Sequence, residues 1–469
     1  MTRPTADDDA PVDGIGGIVG LPRQLATAAT ISLVTLSGGM VVGWVSPLSL
    51  DLKSSNSPVG SMTLHEISLL ASFPNYFAIA GAFVYAFIAR KFGRKISLLC
   101  VGAPSIAGAL VLAFATSKTQ LYVGRVINGF SALCGINLAP MYLSETVHES
   151  IRGTLMSTWP FEVGLLMSYF FGKILSYFWF NCVVLSVPVL YTVLVFFLPE
   201  TPYYLVTKSK QDEAYKSLLW LRGGDERVAK IELEKMQGRE EETLSFVQTF
   251  KTRQTRLALV ISVFAFFFQT LSGIHAVLNY SSLIFEEAGS PLSPDDSSIL
   301  IAVLILSAAF VCTILVDKFG RKFWLYFSFF FCAVNLAVLS CYLYFSQRYD
   351  LQNLSWVPIM CVSLFVISYG LGLTVVPSVM TNEIAPVNIK PVVSSMVCSS
   401  AMVLVILVVQ SFPFLDQHFG LYSCFAIPAV VNFFGLIYTW WIVPETKGKT
   451  LSEISDLLNG QPRGTGKCL

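Results

Sequence analysis

Long apolar segments alternate with short polar ones along almost the whole chain. The apolar segments lie near residues 26–50, 64–89, 96–116, 119–143, 153–177 and 180–198, and again near 257–285, 298–316, 323–345, 355–381, 391–415 and 419–443. Each is long enough, at about 20 residues, to cross the hydrocarbon layer of a bilayer as a helix. They lack the strict alternation of barrel strands, the other backbone form that lipid tolerates. The pattern predicts an all-α, multi-pass membrane protein with about twelve transmembrane helices.

One long polar segment, residues 199–256, interrupts this pattern in the middle. Its acidic and basic residues are mixed, and residues that favour helices, such as Glu213, Ala214 and Lys216, are frequent. This composition is typical of short amphipathic helices lying under the membrane, with a disordered linker as the alternative. The predicted organisation is an N-terminal tail (1–25), a six-helix bundle (26–198), a helical linker (199–256), a second six-helix bundle (257–443) and a C-terminal tail (444–469).

Composition narrows the function classes. The chain is 54% hydrophobic and 13% charged, and a soluble protein carries about 25% charged residues. A net charge of +1 with no basic face outside the loops argues against a nucleic-acid partner. The sequence shows no nucleotide-binding loop, metal-ligand cluster or nucleophile–base set, so we expect no enzyme activity, cofactor or metal. No obligatory protein partner is evident.

Lysine and arginine collect in alternate loops, which predicts the orientation of the chain. One set of loops contains Arg90, Lys91, Arg94, Lys95, Arg152, Lys318, Arg321, Lys322 and Lys390, together with the whole middle segment. The other set holds only scattered basic residues such as Lys53, Lys118 and Arg348. Because basic loops stay in the cytosol, both termini are predicted to be cytosolic.

Three short sequences occur twice in the same order, once in each half of the chain. Lys-Phe-Gly-Arg-Lys occupies 91–95 and 318–322, and Pro-Glu-Thr begins at Pro199 and at Pro444. A glutamate ends the related sequences MYLSE and MTNE, at Glu145 and Glu383. The chain therefore reads as two similar six-helix halves, a parallel repeat about an axis along the membrane normal.

The repeated charges are predicted to hold each other at the inner ends of the helices. Gly93 and Gly320 allow tight turns, and Glu145 and Glu383 lie where they can pair with the arginines that follow those glycines. Simple positive-inside charge explains the basic residues but not the matched glutamates. We expect these pairs to hold the inner faces of the two halves and to break when the halves rock. The clasp residues are Gly93, Arg94, Arg125, Glu145, Arg152, Glu200, Asp317, Gly320, Arg321, Glu383 and Glu445, all predicted to lie at one depth.

These sequences resemble the sugar porter branch of the major facilitator superfamily and, within it, insect facilitated trehalose transporter-like proteins. The matching stretches include ARKFGRK, YVGRVINGF, PMYLSETVHESIRGTL, PETPYYLVTKSKQDEAYKSLLWLRG, QTLSGIHAVLNYS, DKFGRK and PETKGKTLSEI, between about residues 40 and 456. The resemblance implies the major facilitator fold and alternating access, with one central solute site between the halves. It also implies two partners: the lipid bilayer and a small-molecule solute, for which a sugar is the leading candidate.

The resemblance implies where the solute binds, and this sequence departs from the family there. The family sequence Gln-Gln-Leu-Ser-Gly-Ile-Asn, whose amides bind sugar hydroxyls, corresponds to Gln269 to His275, so Gln269 is kept while Thr270 and His275 are not. Asn279 lies one helical turn beyond His275 and can share its face. The tryptophan that packs on the sugar in the tenth span is replaced by Ser378.

Glu162, in the fifth span, is the departure with the most chemical meaning. A carboxylate within a span is costly and usually faces a cavity or a partner. It could contact the solute or carry a proton, and a carboxylate hydrogen-bonded within the bundle is the alternative. Proton-linked sugar porters commonly have an acidic residue after Gly-Tyr in the first span, and the corresponding Gly43, Trp44 and Val45 include none.

The sequence therefore predicts a plasma-membrane carrier that moves a sugar, a hexose or trehalose, by facilitative uniport. The predicted substrate-binding residues are Gln269, Thr270, His275, Asn279, Ser378 and Glu162. A nutrient sensor on the same scaffold remains an alternative, as does a carrier for a non-sugar solute, with or without proton coupling through Glu162.

Overall fold

A computed structural model describes residues 18–54, 59–156, 159–238, 253–287, 292–349, 352–384, 390–445 and 447. Twelve helical spans cross the molecule, and nine of them are single helices. These are span 2 (Leu64–Lys91), span 3 (Arg94–Ala113), span 4 (Lys118–Thr146), span 5 (Trp159–Ile174), span 6 (Tyr177–Phe197), span 8 (Pro294–Phe319), span 9 (Arg321–Ser346), span 11 (Lys390–Phe419) and span 12 (Leu421–Trp441).

The other three spans each consist of two helices. They are span 1 (Leu21–Gly43 and Val45–Lys53), span 7 (Arg253–Leu271 and Ile274–Glu287) and span 10 (Val357–Gly370 and Val376–Ile384). By length and composition, ten of the described spans are apolar enough to cross a membrane, and the first helix of span 10 is a shorter apolar helix. Spans 1–6 form the N-half and spans 7–12 the C-half. We call the membrane side with the two Lys-Phe-Gly-Arg-Lys turns the basic face, and the other side the opposite face.

Close packing within the N-half depends on small residues where spans 1 and 5 cross. A Cβ atom on Gly39 would lie 2.0 Å from the Phe161 carbonyl oxygen, and one on Gly164 would lie 2.1 Å from that of Leu36. Such small residues let two membrane helices approach until their backbones touch. This contact fixes span 5, and therefore Glu162, against span 1.

Short helices of the middle segment pack on the basic face of the N-half. They are Pro202–Thr207, Gln211–Leu221 and Glu226–Gly238, and a further short helix, Glu149–Leu155, follows span 4. Arg222 donates a hydrogen bond to the Thr146 carbonyl at the end of span 4 (3.2 Å) and forms an ion pair with Glu232. The described part of the segment is therefore helical and attached to the N-half.

Several helices begin a few residues earlier than the predicted boundaries, whereas span 5 begins later, at Trp159 rather than near residue 153. Span 1 begins at Leu21 rather than near residue 26, because its polar first turn packs on the linker: Arg23 donates to the Trp220 carbonyl (2.9 Å). Span 7 begins at Arg253, inside the predicted linker of 199–256. Polar first turns escape a hydropathy pattern because they lie outside the apolar segment that the pattern detects.

Candidate functional site

Span 7 is interrupted halfway through the membrane, at Ser272 and Gly273. Gly273 has φ +100°, a conformation that side chains with a Cβ rarely adopt. The interruption removes a backbone partner from the Ser272 carbonyl, and the Asn432 side-chain amide of span 12 donates to it instead (3.0 Å). Non-helical backbone at membrane depth is tolerated only inside protein or beside a cavity. The break places the polar end of the first helix at the centre of the molecule.

Gln269 lies one turn before this break. Its amide nitrogen donates to the hydroxyl of Tyr369 in span 10 (3.3 Å), while its amide oxygen is buried without a hydrogen-bond partner among the described residues. A buried acceptor left unsatisfied costs about 1–3 kcal/mol. Gln269 is thus held by one contact and keeps an acceptor free for a ligand or water.

Glu162 of span 5 lies across from this pair. Its side chain is buried, with 4% of the residue exposed, and Oε2 has no hydrogen-bond partner among the described residues. The carboxylate lies close enough to the Tyr369 hydroxyl to act on it electrostatically. Tyr369 is therefore hydrogen-bonded to Gln269 of the C-half and lies within electrostatic reach of Glu162 of the N-half.

The remaining predicted ligands lie around the span 7 break or on span 10. Thr270 and Asn279 are buried, and the Asn279 amide donates to the His275 carbonyl one turn back (2.8 Å). His275 is half-buried. The Ser378 hydroxyl bonds to the Val375 carbonyl of its own helix (2.8 Å), so that contact is local. Ligand binding by all six predicted residues stays a prediction.

Polar contacts between described residues join the two halves on the opposite face. The Ser46 hydroxyl of span 1 contacts those of Ser281 (2.7 Å) and Ser282 (3.3 Å) in span 7. The Tyr169 hydroxyl donates to the Leu278 carbonyl, and Lys173 pairs with Asp296. These contacts close the central residues off from the opposite face.

A second set of polar contacts lies further along this seam. Gln410 of span 11 donates to the Ser72 hydroxyl (3.0 Å) and accepts from the Tyr76 hydroxyl (3.1 Å), both in span 2. Towards the basic face, spans 2, 4 and 11 instead leave a crevice lined by Tyr85, Asn137 and Ser399, among others. This conformation is therefore closed at the opposite face.

The N-half clasp forms a complete network at the basic face. Arg94 donates from Nε (3.1 Å) and Nη2 (2.9 Å) to Glu145 Oε1. Glu200 accepts from the backbone N–H groups of Arg94 (2.9 Å) and Lys95 (3.1 Å). Gly93 has φ +117°, and a Cβ there would lie 2.1 Å from Glu200 Oε2. Position 93 therefore requires glycine for two reasons: the positive φ of the turn, and the close approach of the Glu200 carboxylate.

The C-half clasp repeats this geometry. Arg321 donates from Nε (3.1 Å) and Nη2 (2.7 Å) to Glu383 Oε1. Glu445 accepts from the backbone N–H groups of Arg321 and Lys322, both at 3.1 Å. Gly320 has φ +93°, with Glu445 Oε2 2.7 Å from the position of a Cβ. The described contacts of each network join helices of one half, and the prediction that these pairs also hold the two halves together stays a prediction.

Arg125 does not belong to the clasp, and the prediction that it lies at the same depth is wrong. It precedes Glu145 by about five helical turns along span 4, which places it towards the opposite face. Its guanidinium donates to the carbonyls of Leu70 (2.9 Å) and Val41 (2.6 Å) and lies 5.4 Å from the Trp44 ring. The prediction grouped Arg125 with the other charged residues and did not account for its position along span 4.

Two other predicted clasp residues, Arg152 and Asp317, lie in the short helix after span 4 and in span 8. Arg152 lies on the basic face in the short helix after span 4, where Nη2 donates to the Val147 carbonyl (3.3 Å). Asp317 belongs to span 8, but its side chain is outside the described set. The described contacts of Arg152 do not join either network, and the role of Asp317 in the C-half clasp stays a prediction.

Tyr369 and Asn432 are central residues that the sequence did not single out. Tyrosine and asparagine in an apolar span signal a buried polar contact, yet nothing in the pattern tells which partner they meet. Among the described residues, no group of three or more His, Cys, Asp or Glu is placed to hold a metal ion. The centre offers amide, hydroxyl, imidazole and carboxylate groups, which can hydrogen-bond a hydroxylated solute.

These features define a twelve-span membrane protein built from two repeats around a polar centre, and comparison with known proteins gives the family. Residues 26–458 match the family model described as "Sugar (and other) transporter". The chain therefore belongs to the sugar transporter family, with the major facilitator fold.

Among similar proteins is the facilitated trehalose transporter Tret1 of Apis mellifera ligustica, 28% identical over 94% of this chain and 89% of that protein. Tret1 of Drosophila virilis is 29% identical over 94% of this chain and 49% of its own length. The chain thus spans about half the length of several curated relatives that it matches.

Among solved structures, the partially occluded inward open conformation of the xylose transporter XylE from E. coli is similar with a TM-score of 0.74. It is 19% identical and covers 90% of this chain and 99% of that one. XylE bound to 6-bromo-6-deoxy-D-glucose gives a TM-score of 0.72 at 20% identity, over 93% of this chain and all of that one. These structural similarities support the assignment of the major facilitator fold.

Proposed function

We propose that this chain is a facilitative carrier that moves a sugar across the plasma membrane by alternating access. The observation that carries the proposal is the pair of buried, unsatisfied acceptors, Gln269 Oε1 and Glu162 Oε2, one in each half. Gln269 is hydrogen-bonded to Tyr369, and the charge of Glu162 acts on the same tyrosine. Such groups are stabilised when a ligand with hydroxyl donors lies between them. A ligand held by both halves can pass from one face to the other when the halves rock.

The contacts on the opposite face support this mechanism. Hydroxyl and amide contacts such as Ser46–Ser281 are few and individually weak, so they can break without unfolding either half. The basic-face clasps lie inside single halves and support rigid-body motion. Cytosolic termini, expected from the positive-inside rule, make this an inward-facing conformation. The relatives named for facilitated trehalose transport support a disaccharide or hexose as solute.

Purified protein in proteoliposomes provides the test. We expect labelled trehalose or glucose to equilibrate across the membrane and to exchange faster when unlabelled sugar is present on the far side. Faster exchange indicates a carrier rather than a pore or a sensor. Binding of sugar without any flux by folded protein would contradict transport and favour a sensor.

Uncoupled movement is part of the proposal. Residues 43–45 of span 1 supply no carboxylate, and Trp44 is buried there with its indole N–H donating to Asn181 (2.9 Å). We therefore expect an imposed proton gradient to leave the final sugar distribution unchanged. Accumulation driven by protons and lost in Glu162→Gln would show instead that the carrier is proton-linked through Glu162.

A further inference from the structure

Glu162 is isolated from every cation among the described residues. No Lys, Arg or His side chain of the described set lies within ion-pair or hydrogen-bond distance of its carboxylate, and Oε2 has no partner of any kind there. The carboxylate is held in this position because span 5 packs against span 1 through Gly39 and Gly164. An ionised group at this depth is costly unless it meets a partner in a cavity.

Its position places that partner between the halves. Glu162 lies within electrostatic reach of Tyr369 in span 10 and of Tyr169, whose hydroxyl donates to span 7. Tyr369 in turn accepts from Gln269. A solute bound to Gln269 therefore lies in a region that the charge of Glu162 reaches. The partner that Glu162 lacks among the described residues can be a group of the solute.

The opposite face carries a second, independent feature with the same sign of charge. Around the seam between the halves lies an acidic mouth of six carboxylates: Asp51, Glu286, Glu287, Asp295, Asp296 and Asp416. Among the described residues whose charge acts on these carboxylates, only Lys53 and Lys173 are positive. A passage rimmed by one sign of charge raises the local concentration of solutes of the opposite sign.

We propose that the central site accepts a hydroxylated solute carrying one protonated amine, a cationic amino sugar, with its ammonium on Glu162 and its hydroxyls on Gln269. This inference rests on the proposed function and specifies its substrate class. The acidic mouth collects the cation, and the buried carboxylate pairs with it once water is excluded. Charge-assisted hydrogen bonds of this kind are roughly twice as strong as neutral ones.

Glucosamine and glucose are a matched pair of probes, because they differ only by an ammonium in place of one hydroxyl. With the full chain in proteoliposomes at neutral pH, we expect glucosamine to half-saturate uptake at a concentration about tenfold or more below that of glucose. Glucosamine uptake should also accelerate with an inside-negative potential, and glucose uptake should not, since only the amine carries charge.

Glu162→Gln is expected to abolish the preference, leaving the ratio of the two half-saturation concentrations near that of neutral sugars. Glu213→Gln, on an exposed linker helix, is the matched control and should keep the parent ratio. Equal half-saturation by both sugars in the parent, or a preference retained in Glu162→Gln, overturns the inference while leaving sugar transport intact. If folded parent protein moves neither sugar nor trehalose, the proposed carrier function fails as well.

Discussion

The basic face and the centre of the molecule use polar residues in opposite ways. At the basic face the two clasps satisfy their charges internally, with the same donors and acceptors in both halves. At the centre the halves differ, and the acceptors of Gln269 and Glu162 stay without partners among the described residues. Satisfied, repeated networks maintain the scaffold, whereas the unsatisfied acceptors at the centre are the groups that we propose bind the ligand. Each prediction below tests one side of this contrast.

The largest effect is expected at a clasp glycine. Gly93→Ala must adopt φ +117° and displace Glu200, which lies 2.1 Å from the new Cβ. We expect a loss of about 3–5 kcal/mol in stability, from the left-handed backbone and the broken charge-assisted bonds together. Thermal unfolding in detergent measures it.

Gly224→Ala is the matched control, because its φ of +99° carries the same strain while a Cβ there meets nothing within 4 Å. Its loss should be only about 1–2 kcal/mol. Equal losses for the two variants would mean that Glu200 adds nothing to the requirement for glycine.

The two clasps should differ in strength although their geometry is the same. The Glu145 side chain is 12% exposed and also accepts from Thr201, whereas that of Glu383 is 27% exposed. We expect Glu145→Gln to cost about 2–3 kcal/mol of unfolding free energy and Glu383→Gln less, because water screens the more exposed carboxylate of Glu383 and weakens its ion pair. Denaturation followed separately in the two halves by fluorescence distinguishes them, and the reverse order would contradict the burial argument.

At the centre, truncation should affect affinity rather than folding. Gln269→Ala removes one contact to Tyr369 and the free acceptor, so sugar binding should weaken by about tenfold to a hundredfold. The melting temperature should change little, because the acceptor that is lost was unsatisfied. Equilibrium binding of labelled sugar provides the measurement. Unchanged affinity for every transported sugar would place the site elsewhere.

The smallest effect is expected for the ion pair between Lys173 and Asp296 on the opposite face. Their side chains are 34% and 49% exposed, and exposed pairs contribute about 0–1 kcal/mol. A double-mutant cycle with Lys173→Met and Asp296→Asn should give a coupling free energy in that range, reduced further at high salt. A coupling well above it would mean that this pair dominates closure of the opposite face.

The sequence by itself determined the spans and the repeat. An apolar segment of bilayer length satisfies its backbone hydrogen bonds in lipid by forming a helix. The duplicated Gly-Arg and Pro-Glu-Thr sequences show, without any coordinates, that the chain has two similar halves. Pairing of Arg94 with Glu145 could be anticipated because both lie at the ends of helices at one depth.

Only the tertiary structure decided which polar groups meet inside the bundle. Hydropathy says nothing of the direction in which a residue faces, so Tyr369 was missed. Arg125 was grouped with the clasp because its distance from Glu145 along span 4 was not taken into account. The distinction between satisfied Arg125, with its two carbonyl acceptors, and unsatisfied Glu162 depends on contacts between helices far apart in the chain. Those contacts exist only once the glycine crossing of spans 1 and 5 and the break in span 7 have set the helix positions.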